Sequence, residues 1–333
     1  MRPSIFRWRF AYALYAYAVY ALAFAYSLLP PVAYGQANLA GYWAVQSNQD
    51  FQIRGAGPNT ADYLGIPING DARAAALAYS ADNVEELHRE CEPWPVTYLL
   101  MGPFSFHVWA TIDPRTAEVQ AWHINGSIDR MPMTIWMDGR SAPNSAALHT
   151  YAGFTTGVWQ GDTLVTTTTH IKDGYLTRNG VPNSNQETVY LFFTRHGDLL
   201  TVTGVMHDPV YLTEPYVISR IWKSNPTLDP DFGDFDPAGN LMNCMPEEED
   251  PGISDGYHVA TLLPGANPLL NFMPKTYGIP LNAALGGAAT MYPEFNRGLQ
   301  GKYLMPGKCM SNCCGTTASA YFDINVLQCD APQ

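Results

Sequence analysis

The chain has little charge, and less base than acid. Of its 333 residues only 14% are Asp, Glu, Lys or Arg, and 18 Lys and Arg stand against 30 Asp and Glu, a net charge of −12. A field of that sign repels the phosphates of nucleic acid. No glycine-rich dinucleotide fingerprint follows a strand. The one Gly-Lys pair, Gly307-Lys308, lacks a P-loop around it. Histidines are never spaced H-x-H or H-x-x-x-H, and cysteines never C-x-x-C, which removes the compact zinc frameworks and covalent haem attachment. No cofactor and no metal ion is therefore expected.

Long apolar runs are also scarce, with one exception at the start. Arg2, Arg7 and Arg9 precede Phe10 to Leu29, which holds no charge, and this is the outline of an export signal. A run of this length also suits a membrane anchor. Pro30-Pro31 breaks a helix, and Tyr34-Gly35-Gln36-Ala37 places small residues at both recognition positions of a cleavage site, which favours cleavage after Ala37. Loss of residues 1–37 removes three arginines and no acid and leaves a net charge of −15. The remaining chain is expected in the periplasm or outside the cell, with no membrane contact after cleavage.

All six cysteines follow that site: Cys91, Cys244, Cys309, Cys313, Cys314 and Cys329. An even number in an oxidising compartment implies disulfides. Two bridges within the tail would leave Cys91 and Cys244 to pair across the domain.

Turn signals divide the rest. Residues 38–103 form an arm, rich in Gly, Asn and Pro at 44–70, followed by a helical stretch within Asp71 to Arg89. From 104 to 225 short β runs alternate with turns: Phe104–Ile112, Glu118–Ile124, Met131–Met137, Gly153–Trp159, Asp162–Ile171, Glu187–Thr194, Leu199–Met206 and Val217–Lys223. This spacing predicts a mainly β fold, an antiparallel meander closing into a barrel or half-barrel, or stacking as a sandwich. Residues 226–333 read as an irregular extension with short helices near 267–277 and 290–299 and the cysteine-rich tail. Gly41-Tyr42-Trp43, repeated as Gly157-Val158-Trp159, resembles the lipocalin G-x-W, in which the indole plugs one end of a barrel.

Several longer motifs carry a second resemblance. Trp136-Met137-Asp138-Gly139-Arg140, Trp159-Gln160-Gly161-Asp162-Thr163-Leu164, Thr168-Thr169-His170-Ile171-Lys172-Asp173-Gly174, Arg178-Asn179-Gly180-Val181-Pro182, Asp208-Pro209-Val210-Tyr211-Leu212-Thr213-Glu214-Pro215 and Thr290-Met291-Tyr292-Pro293-Glu294 are similar to those of a family of uncharacterised secreted bacterial proteins. Members carry a basic residue before the second tryptophan and Glu after it, where this chain has Val158 and Gln160. The resemblance implies export and a continuous fold, and no activity.

Candidate site residues come from strand alternation. Asp162–Ile171 divides into Thr163, Val165, Thr167, Thr169 and Ile171 on one face and Leu164, Thr166, Thr168 and His170 on the other. The Val165/Ile171 face is expected to turn inward. By the same period His107 shares a face with Ser105, Trp109 and Thr111, His123 with Val119 and Ala121, and His207 with Leu199, Thr201, Thr203 and Val205. Hydroxyls and imidazoles beside indoles suit a semi-polar pocket. A small, partly apolar ligand held by Trp136, Trp159, Thr166, Thr168, His170, Arg178, Tyr190 and His207 is the leading reading. One alternative is a hydrolase or isomerase using His170 with Asp208 or Glu214; another is a structural or partner-binding surface module. Asp229, Asp231, Asp234 and Asp236 depart from an EF-hand loop and read as a solvated linker.

Overall fold

The computed structural model describes residues 36–46, 63, 65–79, 93–102, 105–126, 132–228, 262–267, 270–271, 274–275 and 278–299. Residues 1–35, all six cysteines and the acidic stretch that begins at Asp229 lie outside the described residues. Among the described residues no helix is long and apolar enough to cross a membrane.

Nine strands close into a barrel in the order β1-β11-β10-β9-β6-β5-β4-β3-β2. They are β1 (Gly41–Gln46), β2 (Phe106–Ile112), β3 (Val119–Asn125), β4 (Met133–Trp136), β5 (Phe154–Gln160), β6 (Thr163–Thr169), β9 (Thr188–His196), β10 (Leu199–His207) and β11 (Tyr216–Ser224). Between β6 and β9, β7 (Gly174–Tyr175) and β8 (Pro182–Asn183) form a separate hairpin. The expected turns are present: Gly161 and Gly197 take φ of 65° and 63°, the left-handed region that two-residue hairpin loops require. The meander is not wholly antiparallel, however, because β4 and β5 pair in parallel. Residues 137–153 make that crossover, which a two-residue turn cannot.

Each end of the barrel is closed by side chains from the N-terminal arm. At the end where β1 begins, the buried Trp43 indole donates through Nε1 to the Leu39 carbonyl at 2.9 Å. Arg195 covers its face, with the guanidinium carbon 5.1 Å from the ring centroid, and donates to the Asn38 carbonyl. The G-x-W expectation holds for this tryptophan. At the other end, where β6 stops and β9 starts, the short helix α2 (Tyr98–Met101) enters the barrel. Leu100 is fully buried there, and its carbonyl accepts from Arg220 Nε at 3.1 Å.

A longer helix, α1 (Gly70–Ala78), starts where Asn69 Oδ1 accepts from the backbone of Asp71 and Ala72, an N-cap in sequence and in geometry. Asn69 also donates through Nδ2 to the Val210 carbonyl at 2.7 Å, and Ile68 bridges to Leu212, so the arm is bonded to the β10–β11 connection. In the C-terminal extension the helical pieces are α3 (Leu281–Ala284), a 3-10 turn (Ala288–Met291) and α4 (Pro293–Leu299).

The core corrects the expected facing of β6. Leu164, Thr166 and Thr168 point inward and are fully buried, and Val165 points outward. Polarity does not expel this face because its hydroxyls are bonded: Thr155 Oγ1 and Thr168 Oγ1 lie 2.8 Å apart, and Thr166 Oγ1 donates to the Leu191 carbonyl at 3.4 Å. Ile171 is buried as expected, for a different reason. His170 takes φ of 57°, which breaks the alternation between Thr169 and Ile171. Leu164, Thr166, Thr168, Leu191, Val202 and Trp222 are fully buried in the barrel interior.

Candidate functional site

The most distinctive constellation lies on the outer wall of β1, β2 and β3. Strand pairing sets Tyr42 opposite His107 and Trp109 opposite His123. Two-residue alternation puts all four outside the barrel, since Trp43, Phe106, Val108, Trp122 and Ile124 fill the inner positions. The rings form a continuous stack. Tyr42 and His107 have centroids 4.3 Å apart at 17°, His107 and Trp109 5.2 Å at 30°, and Trp109 and His123 5.2 Å at 22°.

Hydroxyls hold the stack's inner end. His123 Nε2 lies 2.8 Å from Thr111 Oγ1, and Nδ1 lies 3.1 Å from Thr134 Oγ1. Burial depresses the His123 pKa below the ordinary imidazole value, so this ring is neutral at neutral pH. A neutral imidazole stacks on an indole without bringing an unscreened charge to the wall. A β-bulge between Thr111 and Ile112 pairs Ile112 with Val119, which therefore turns inward and does not share the His123 face as period two alone predicts. Next along the wall, Trp136 faces outward beneath Arg140, whose guanidinium carbon is 3.6 Å from the ring centroid and whose fork bonds Asp138.

The residues expected to line one pocket are distributed over both sides of the barrel. Trp159, Thr166 and Thr168 point inward, whereas Trp136, Tyr190 and His207 point outward. Arg178 is engaged in structure: its Nε donates to the Tyr98 hydroxyl at 2.7 Å, tying the β7–β8 hairpin to α2. His170 donates through Nε2 to the Asn144 carbonyl at 2.9 Å, and its Nδ1 lies 2.9 Å from Thr169 Oγ1. β9 separates β6 from β10, and His207 stands opposite Thr188, so His170 and His207 are not neighbours on the sheet.

The carboxylates offered as catalytic partners are likewise occupied. Asp208 accepts from Ser184 N at 2.7 Å, Ser184 Oγ at 2.8 Å, Val210 N at 2.9 Å and Tyr211 N at 3.2 Å. It caps the turn after β10 and clamps that turn to the chain leaving β8. Glu214 accepts from the Tyr292 hydroxyl at 2.8 Å, which joins the D-P-V-Y-L-T-E-P segment to T-M-Y-P-E. Neither carboxylate bonds His170.

Sequence reasoning missed Glu187, which precedes β9 and is buried. Desolvation, reinforced by the negative charge of Asp208, raises its pKa to about 8. Its Oε2 and the Oδ1 of Asn183 have no hydrogen-bond partner among the described residues. The only signal for it was an acid at the start of a strand, the position of an ordinary solvated charge. Among the described residues no group of three or more His, Cys, Asp or Glu is placed to hold a metal ion.

Comparison of the chain with protein-family profiles, with curated proteins and with solved structures gives no match.

Proposed function

We propose that this is an exported binding protein that takes a small, partly apolar molecule against the outer wall of β1–β4. The observation that supports it is the stack Tyr42–His107–Trp109–His123, an aromatic surface already ordered before any ligand arrives. Ordering side chains on binding costs roughly 0.5–1.5 kcal/mol for each rotamer-rich group, and a stack built into paired strands avoids most of it. Trp109 offers the contact area, with 37% of its surface exposed. Thr111 and Thr134 add hydrogen-bonding groups beside it, and Trp136 extends the wall. Filled barrel positions on β6, β9 and β10 favour this wall over the interior as the place for a ligand.

The ligand chemistry that fits is a neutral molecule with a flat apolar ring and a few hydroxyl or carbonyl groups, because β1–β4 carry no Asp, Glu, Lys or Arg and their two outward histidines are engaged in the stack. Titration with a panel of neutral aromatic metabolites and sugars, read by tryptophan fluorescence, is expected to give saturable quenching. Trp109→Ala should weaken it at least tenfold, the loss typical of an aromatic anchor. Quenching that survives unchanged in Trp109→Ala sinks the proposal.

A further inference from the structure

Glu187 and Asp208 meet where β9 starts and β10 ends. Thr188 pairs with His207, so the same register continued by one residue sets Glu187 opposite Asp208, and both side chains are buried, at 2% and 3% exposure. Carboxylates placed opposite each other repel, and burial strengthens the repulsion. Among the described residues no Lys, Arg or His forms an ion pair with either. The bases of neighbouring segments are committed elsewhere: Arg178 to the Tyr98 hydroxyl, Arg73 to the carbonyls of Leu285 and Gly286, and Lys172 to the Tyr151 ring, whose centroid lies 4.6 Å from its Nζ.

Two buried oxygens beside this pair, Glu187 Oε2 and Asn183 Oδ1, have no hydrogen-bond partner among the described residues. An amide oxygen can only accept, and so can a carboxylate. The β7–β8 hairpin fixes Asn183 here, with its Nδ2 donating to the Lys172 carbonyl at 3.2 Å, and its amide lies against the Glu187 carboxyl. Ser184, the next residue, ties the same segment to Asp208 through both N and Oγ. What the three side chains lack in common is a positive partner. We infer that a calcium ion binds between Glu187, Asp208 and the Asn183 amide oxygen.

The donor chemistry selects the ion. All the available ligands are oxygens, which suit hard cations and not the metals that prefer imidazole or thiolate. Two carboxylates neutralise one divalent charge. Magnesium keeps several of its waters, whereas calcium takes irregular sets of carboxylate, amide and carbonyl oxygens and so fits side chains this deeply buried. Asp208 Oδ1 is spent on three donors, Ser184 Oγ, Val210 N and Tyr211 N, but Oδ2 accepts only from Ser184 N and keeps a lone pair for the ion. Because the set holds two acids and an amide rather than three acids, its affinity belongs to the weak range of extracellular calcium modules, Kd of about 10⁻⁴–10⁻³ M. Without the ion the Glu187 carboxyl keeps a proton, which calcium displaces into solvent. Asp71 and Asp173 are exposed near Asp208: burial first, and then the charges of Asp173, Asp208 and Asp71, raise the pKa of the Tyr211 hydroxyl among them. Exposed acids above a buried pair draw a cation toward it.

The test is calcium uptake by the full-length chain, stripped with EDTA and titrated with calcium chloride at pH 8 in a calorimeter. Wild type is expected to bind in the range above, and its thermal midpoint should rise in millimolar calcium and not in equal magnesium. Glu187→Gln keeps the shape, removes a charge and should lose this uptake while its circular dichroism stays that of wild type. Asn183→Ala removes the neutral ligand and should raise Kd about tenfold or more. Trp109→Ala should bind calcium as wild type does, which keeps this result distinct from the ligand reading. A wild type that takes up no calcium overturns the inference and leaves a proton as the partner of the orphaned oxygens. Uptake unchanged in either variant at 183 or 187 overturns it too and places the ion elsewhere in the chain, as does a midpoint that magnesium raises equally, which would take calcium out of the assignment.

Discussion

Leu100 rests directly on the Cα of Gly204: a Cβ added to that glycine would lie 2.2 Å from Leu100 Cδ1 and 3.3 Å from Leu191 Cδ2. Gly204 occupies an inward position of β10 between Val202 and Met206, so the missing side chain is what admits α2 into the barrel. The backbone of Gly204 needs no left-handed conformation. Its role is space.

Gly204→Ala is therefore expected to destabilise the protein by about 1–3 kcal/mol, the usual cost of overpacking a filled core. Leu100→Ala alone should cost ~2–5 kcal/mol. The double variant should be more stable than the sum of the two predicts, because the smaller side chain at 100 accommodates the new methyl. Chemical denaturation of all four proteins gives the coupling, and strict additivity would mean that α2 does not enter at Gly204.

The buried Glu187 makes stability depend on pH with a known sign. Its pKa is raised from 4.5 unfolded to about 8 folded, so the folded state holds a proton that the unfolded state releases. The stabilisation is complete below pH 4.5 and is lost as pH rises toward 8, by an amount of the order of a few kcal/mol. Urea midpoints should fall over that window in wild type. In Glu187→Gln, which is neutral throughout, most of the fall should vanish. A wild-type midpoint that rises over this window would show that Glu187 is not held neutral.

Thr155 and Thr168 satisfy each other inside the barrel at 2.8 Å. Removing one hydroxyl by Thr168→Val leaves the other buried and unpaired, at a cost of about 1–3 kcal/mol. Replacing both by Val removes the orphan and should recover most of that loss. Thermal unfolding of the two variants decides it; a double variant no better than the single would place the partner of Thr155 elsewhere.

Much of the fold was legible because hairpins are local. Gln160-Gly161-Asp162 and His196-Gly197-Asp198 join strands with the residues that tight turns demand, and each pairs as expected. Trp43 was legible through its glycine two residues earlier. The wall histidines were half-legible: period two placed His107 with Trp109, and only pairing across β1, β2 and β3 brought Tyr42 and His123 into the same stack. Asp208 and Glu187 are separated by a whole hairpin, and no spacing in the chain announces that they share a buried layer.

The sequence by itself determined where strands begin and turn, the acid excess and the mainly β class, since each depends on neighbours along the chain. Only the tertiary structure decided which face of β6 became core, because hydroxyls at 155, 166 and 168 can be buried once another strand supplies their partners. It also decided the parallel closure of β4 on β5, and that His170 breaks the strand it ends, where a left-handed residue and two hydrogen bonds outweigh alternation.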